Sequence, residues 1–254
     1  MNEKECHKQL PVLLKELHLP MFREHYAPFA ENAQAEEMSY ARYLFELAQR
    51  ECEVRRANKI ARLVKASRLP MEKTLANFDL KRLPLKLRQQ VRILLEGSFV
   101  NRTENILAFG KPGSGKTHLL CAICHELARQ GRTVYFTTCD LMVQELLRAK
   151  RDLELDKLLK KLLRFDVMMI DDFGYVKQDR EEMEVLFTLL AHRYERGSLL
   201  ITSNLPFSKW DIIFKDPMTT AAAIDRLVHH SVVLELNVSS YRVEEAQKRR
   251  NIDP

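Results

Sequence analysis

The chain has 254 residues, 46% hydrophobic and 30% charged, with 7 Gly, 9 Pro and a net charge of +6. That length carries one large domain, or a medium domain plus a small one, and the composition excludes fibrous and disordered classes in favour of a helix-rich globular protein. No uncharged apolar run approaches the roughly 18 residues that cross a bilayer. The opening "MNEKECHKQLPVLLKELHLP" has scattered charges and no leader pattern, so a cytoplasmic protein with no membrane partner is expected. In that compartment its five irregularly spaced cysteines are expected as reduced core residues.

In chain order, apolar periodicity predicts two helices, over residues 10–29 and 39–66, forming a small helical N-terminal domain over 1–66. The second helix carries Tyr43, Leu47, Val54, Ala57, Ala61 and Val64 at mostly helical spacing, with Arg55, Lys59 and Arg62 on another face beside Arg56. From Arg50 to Arg92 there are 13 Lys and Arg against four acids, a surplus larger than that of the whole chain. A concentrated surplus of this kind points to a polyanion, nucleic acid first, with Arg55, Arg56, Lys59 and Arg62 as candidate phosphate contacts. A solvated helix face is the other reading of that stripe. The stretch "SRLPMEKTLANFDLKRLP" (67–84), with two prolines and broken periodicity, reads as a linker.

From about residue 85 to 254, helical stretches alternate with short apolar runs. Strands are predicted over 105–110, 133–138, 166–172, 198–204 and 231–236, and a helix from Lys116 is expected to end at Gly131. Apolar strands separated by helices imply an α/β fold, a parallel sheet flanked by helices, with ligands held at the carboxyl ends of the strands. There "GKPGSGKT" fits the phosphate-binding loop pattern, directly after a strand and before a helix. Gly110, Gly113 and Gly115 let the backbone fold into a nest of N–H groups aimed at phosphate oxygens. Candidate nucleotide contacts are therefore Gly110, Lys111, Pro112, Gly113, Ser114, Gly115, Lys116, Thr117 and His118. Lys116 is expected on the β and γ phosphates, and Thr117 on Mg²⁺.

The matching acidic strand is "VMMIDDFG": Asp171 is expected to hold the metal and Asp172 to polarise the attacking water. Asn204, ending "ITSN", is placed to orient that water or sense the γ phosphate. "CAICH" (121–125) also fits the pattern for covalent haem attachment. Haem is attached in this way outside the reducing cytosol, so Cys121 and Cys124 are expected instead on the inward face of the helix, with no haem.

Beyond the phosphate loop and acidic strand, the runs "LKELHLPMFREHY", "EKTLANFDL", "RYERGSLLITSNLPFSKW", "DPMTTAAAIDRLVHH" and "SYRVEEA" span nearly the whole chain. In them it resembles the IstB-like ATP-binding helper proteins of bacterial insertion elements, relatives of DnaC-type helicase loaders within the AAA+ class. The resemblance implies an AAA+ P-loop NTPase core using ATP and Mg²⁺, and a homo-oligomer with nucleotide at subunit interfaces. It implies a polar sensor at Asn204, an arginine finger at Arg226 acting on a neighbouring subunit, and a second sensor at Arg242. Phe78, just before the core, is placed to stack on adenine or to serve as core. The function implied is an ATP-dependent transposition helper that assembles on duplex DNA and assists a cognate transposase. A replicative helicase loader is the alternative, and a small-molecule kinase would need an Arg-rich lid that nothing here resembles. One departure stands out: the family commonly has Glu where Asp172 stands, which implies slow hydrolysis with ATP binding intact.

Overall fold

The structure is a computed structural model, which describes residues 2–174, 179–210 and 217–241; Arg242 lies outside them. Contacts divide the chain into two compact units, Met1–Arg62 and Leu63–Pro254.

The first unit is helical: α1 (Glu3–Glu16), α2 (Pro20–Ala35) and α3 (Tyr40–Ala66). The single helix expected over 10–29 is two helices, broken at Leu17–Leu19, where His18 has φ 55°. The reason is Pro20 at the start of α2: proline brings no N–H to bond backwards and drives Leu19 out of the helical region, to φ −110° and ψ 70°. The break is tied down by Glu51, only 3% exposed on α3. Its carboxylate accepts the Met21 N–H at 2.9 Å and the Arg55 Nε–H at 2.7 Å, while Arg55 also donates to the His18 carbonyl. Tyr43 on α3 donates to the Tyr26 carbonyl at 2.9 Å. Leu14 and Leu47 are the buried apolar side chains of this small core.

In the second unit α4 (Leu85–Leu95) and α5 (Ser98–Asn101) precede β1 (Asn105–Phe109), and α6 (Lys116–Arg129) leads to β2 (Val134–Thr138). Then come α7 (Cys139–Arg151), α8 (Leu155–Leu162), β3 (Val167–Asp171), α9 (Arg180–Arg193), β4 (Ser198–Ser203), α10 (Pro217–Val228) and β5 (Ser231–Glu235). The five predicted strands are present within a residue at each end. They form one parallel sheet in the order β2-β3-β4-β1-β5, with Ile106 beside both Leu200 and Val232. Alternation along each strand then builds two cores. Leu107, Met168, Ile170, Leu199 and Ile201 face α7 to α10, and Ile106, Ala108, Val167, Met169 and Leu200 face α4 to α6.

Residues 67–84, read from the sequence as a linker, are packed. Leu69 and Leu83 are buried in the α6-side core, and two short 3-10 turns, Leu75–Asn77 and Leu80–Arg82, carry the chain across. The Ser67 carbonyl accepts the Phe136 N–H of edge strand β2 at 2.9 Å. Among the described residues no helix is long and apolar enough to cross a membrane.

Candidate nucleotide site

The carboxyl ends of β1, β3 and β4 open on a cavity of about 540 Å³ lined by the phosphate loop, Asp171, Asp172, Asn204, Phe78 and Tyr241. The glycines are there because side chains would not fit. A Cβ on Gly110, at φ 152°, would stand 2.5 Å from the Leu236 carbonyl oxygen, and one on Gly113 would meet the Ser240 hydroxyl. Gly115, at φ 93°, caps α6, whose amino-terminal turn lines the cavity. At the far end Gly131, at φ 90°, follows the last turn as expected.

Lys116 is 7% exposed, and its ammonium donates to the carbonyls of Gly110 at 2.8 Å and Lys111 at 3.1 Å. The Thr117 hydroxyl donates to Asp171 Oδ1 at 2.8 Å, so the two expected metal ligands already meet. A third residue, missed in the sequence, joins them. Thr202 on β4 donates to the same Asp171 oxygen at 2.6 Å and accepts the Asp172 N–H at 2.9 Å. Its signal was visible: a hydroxyl inside an apolar strand, "LLITS", one strand over from the acids. Asp172 itself is exposed, at φ 56°, a left-handed turn that Asp tolerates better than most residues. Asn204 follows β4 and lines the same cavity.

Behind these acids sits Trp210, fully buried, with ring centroids 4.9 Å from Phe173 and 6.2 Å from Phe109. Its indole N–H donates to the Leu205 carbonyl at 3.2 Å. On the other rim, the Phe78 ring stands edge-on to His118 at 5.2 Å, and His118 Nε2 lies 3.0 Å from the Thr74 carbonyl. Arg82, also on this rim, bonds the Ser239 carbonyl at 3.3 Å and lies 5.1 Å over the Tyr241 ring. The Tyr241 N–H donates to the Gly113 carbonyl at 3.0 Å.

Other expected site residues lie elsewhere. Arg226, on α10, does not line the cavity; its guanidinium donates to the Ala222 carbonyl at 3.0 Å and lies 5.0 Å over the Phe187 ring. Arg242 falls outside the described residues. In the first unit Arg56, Lys59 and Arg62 are exposed, whereas Arg55 is held by Glu51. Cys121 and Cys124 are wholly buried, their sulfurs 3.9 and 4.0 Å from Met169 Sδ. Burial pushes the Cys121 thiol up to about 12 and the Cys124 thiol well above its ordinary value, so both stay protonated as core groups.

Residues 12–249 match the IstB-like ATP binding protein family. The chain belongs to this family. An insertion-sequence protein of Sinorhizobium fredii, named for ATP binding, is 40% identical over 95% of this chain and 82% of its own length. The similarly named protein of insertion sequence IS5376 from Geobacillus stearothermophilus is 39% identical over 90% of this chain and 91% of its own. Among solved structures, this IstB-like chain shares its fold with the DnaC helicase loader, at TM-score 0.54 and 17% identity, over 66% of this chain and 98% of that one. AMPPCP-bound DnaA from Aquifex aeolicus aligns at TM-score 0.56 and 20% identity, over 74% of this chain and 58% of the DnaA chain. The IstB-like core is therefore an AAA+ P-loop NTPase fold, as the resemblance implied.

Proposed function

We propose that this protein is an ATP-dependent helper of DNA transposition, which assembles on duplex DNA, assists a cognate transposase, and hydrolyses ATP to regulate the assembly. The observation that carries the reading is the Thr117–Asp171–Thr202 cluster facing a glycine-built cradle, within a family of insertion-sequence ATP-binding proteins. The cradle suits a triphosphate. It offers backbone N–H groups at the start of α6, space that any Cβ would fill, and a buried Ser114 hydroxyl without a hydrogen-bond partner among the described residues.

Oxygen donors on Thr117 and Asp171 suit a hard cation, and Mg²⁺ held there would supply charge neutralisation on the phosphates. Lys116 exchanges its two carbonyl partners for phosphate oxygens. Thr202 is a positioning residue: it fixes the Asp171 carboxylate and, through the Asp172 N–H, the backbone that carries the base. Asp172 takes a proton from water, and Asn204 orients that water. Arg226 of one subunit completes the site of its neighbour, so hydrolysis requires a homo-oligomer. Phe78 is the platform for the adenine. In the amino-terminal region Arg56, Lys59 and Arg62 contact DNA phosphates, and Arg55 serves structure instead. Arg242 is assigned a sensor role by resemblance alone.

The test is binding to random-sequence duplex DNA with and without ATP at rising salt. ATP-dependent, salt-sensitive binding is expected, and its absence sinks the reading. Asp172 reaches roughly 1.5 Å less far than Glu, so Asp172→Glu is expected to raise turnover several-fold while leaving ATP affinity unchanged. Unchanged or lower turnover discards the explanation for slow hydrolysis. A helicase loader is the second reading, favoured by the fold shared with nearly all of the DnaC chain. Co-purification with a replicative helicase rather than with a transposase selects it.

A further inference from the structure

At the end of the sheet away from the nucleotide cavity, the turn between α9 and β4 meets the turn between α10 and β5. Glu195 stands on the first turn, at φ 56°, and His229 and His230 on the second. The backbone beneath them is fixed. His229 N–H donates to the Asp225 carbonyl at 2.9 Å, and the His230 carbonyl accepts the Asn105 N–H at 2.7 Å. All three side chains are exposed, and each offers one ligand atom lying within 4.8 Å of the other two. Glu195 Oε1 and His230 Nε2 are 3.9 Å apart, and the two imidazole centroids are separated by 4.1 Å. The Tyr194 hydroxyl lies 2.9 Å from His229 Nδ1 and orients that ring.

We propose that Glu195, His229 and His230 form a surface site for a transition-metal dication, Zn²⁺ by its ligand chemistry. Two imidazoles with one carboxylate are a borderline-soft donor set, which suits zinc and not magnesium or calcium. Metal–ligand bonds of about 2.0–2.2 Å put tetrahedral ligands roughly 3.4 Å apart. The Glu195–His230 separation is close to that spacing, and rotation of exposed side chains closes the widest pair, within 4.8 Å, by up to about 1.4 Å. Three protein ligands leave a fourth position for water or a donor from another molecule. With His229 donating its Nδ1–H to the Tyr194 hydroxyl, Nε2 is left for the metal, and that bond is the kind of outer contact that tightens such sites. Bound metal would clamp the turn that follows α10, the helix carrying Arg226, to the turn after α9.

The test is equilibrium dialysis and calorimetry of the chelator-stripped full chain with ZnCl₂, in excess Mg²⁺ to occupy the Thr117–Asp171 oxygens. One zinc per chain is expected, with a rise in Tm. Glu195→Gln and His230→Ala are each expected to weaken binding at least tenfold, and the pair His229→Ala, His230→Ala to remove both the binding and the Tm rise. Cys52→Ser, which changes an exposed thiol, should leave affinity unaltered. The proposal is overturned by absence of stoichiometric zinc on the wild-type chain, by undiminished binding in Glu195→Gln and His230→Ala, or by loss in Cys52→Ser. Because wild-type binding and the near-isosteric Glu195→Gln are read directly, misfolding of the double variant does not protect it.

Discussion

Helices α6 and α3 divide the molecule's tasks. In α6, a helix of 14 residues, ten are buried, and the helix begins at the phosphate loop and lies under the sheet. In α3, a helix of 27 residues, two are buried, and one of those is Glu51. A helix sandwiched on a sheet is specified by packing, whereas a long helix with little burial is specified by a few polar contacts and by its solvated charges. Substitutions therefore fail for different reasons in the two. On α6 they cost core packing or ligand contacts, and on α3 most are tolerated except at Leu47 and at the residue that ties down the break between α1 and α2.

The largest effect is expected from Lys116→Ala. Losing two charge-assisted contacts of ~2 kcal/mol each weakens ATP binding about 1000-fold, read by titration of a fluorescent ATP analogue, with folding retained. Affinity within tenfold of wild type removes Lys116 from the phosphate site. Next, Leu120→Ala on the same helix, fully buried, is expected to cost about 3 kcal/mol in denaturant unfolding. A loss below about 1 kcal/mol would break the contrast from the α6 side. On α3, Glu51→Ala strands the Met21 N–H and is expected to cost about 2 kcal/mol, most of it from that amide, because the Arg55 side chain is half exposed. If Glu51→Ala is silent, the break between α1 and α2 is held by something else. The smallest effect is Lys59→Ala: stability stays within about 0.5 kcal/mol, while the salt dependence of DNA binding drops by about one phosphate contact. An unchanged salt slope would take Lys59 off the DNA.

Apolar patterning and the phosphate loop made most of the second unit legible, because strands buried on both faces leave continuous apolar runs and a glycine cradle has few other uses. What escaped were features set by particular contacts and single residues rather than by pattern. Thr202 matters through Asp171, 31 residues away, and a lone hydroxyl in a strand carries no partner's address. The break at His18 was hidden because α1 and α2 share an apolar pattern and only the backbone of Pro20 separates them. Residues 67–84 read as a linker because two prolines and broken periodicity look alike whether a segment is free or packed by single anchors such as Leu69 and Leu83. Arg55 was grouped with Arg56, Lys59 and Arg62 by spacing alone, and the carboxylate that pairs with it sits one turn earlier on the same helix.

Trp210 is the chain's single tryptophan. It touches Phe109, one residue before the phosphate loop, and Phe173, one residue after the two acids, while its indole N–H is bonded to the carbonyl next to Asn204. The three strand ends that build the site thus converge on one chromophore shielded from water. Its emission should be blue-shifted in the resting protein, and any rearrangement of the loop or the acidic strand has to move a ring pressed against it. The protein carries its own optical probe of the state of its active end, readable without a label.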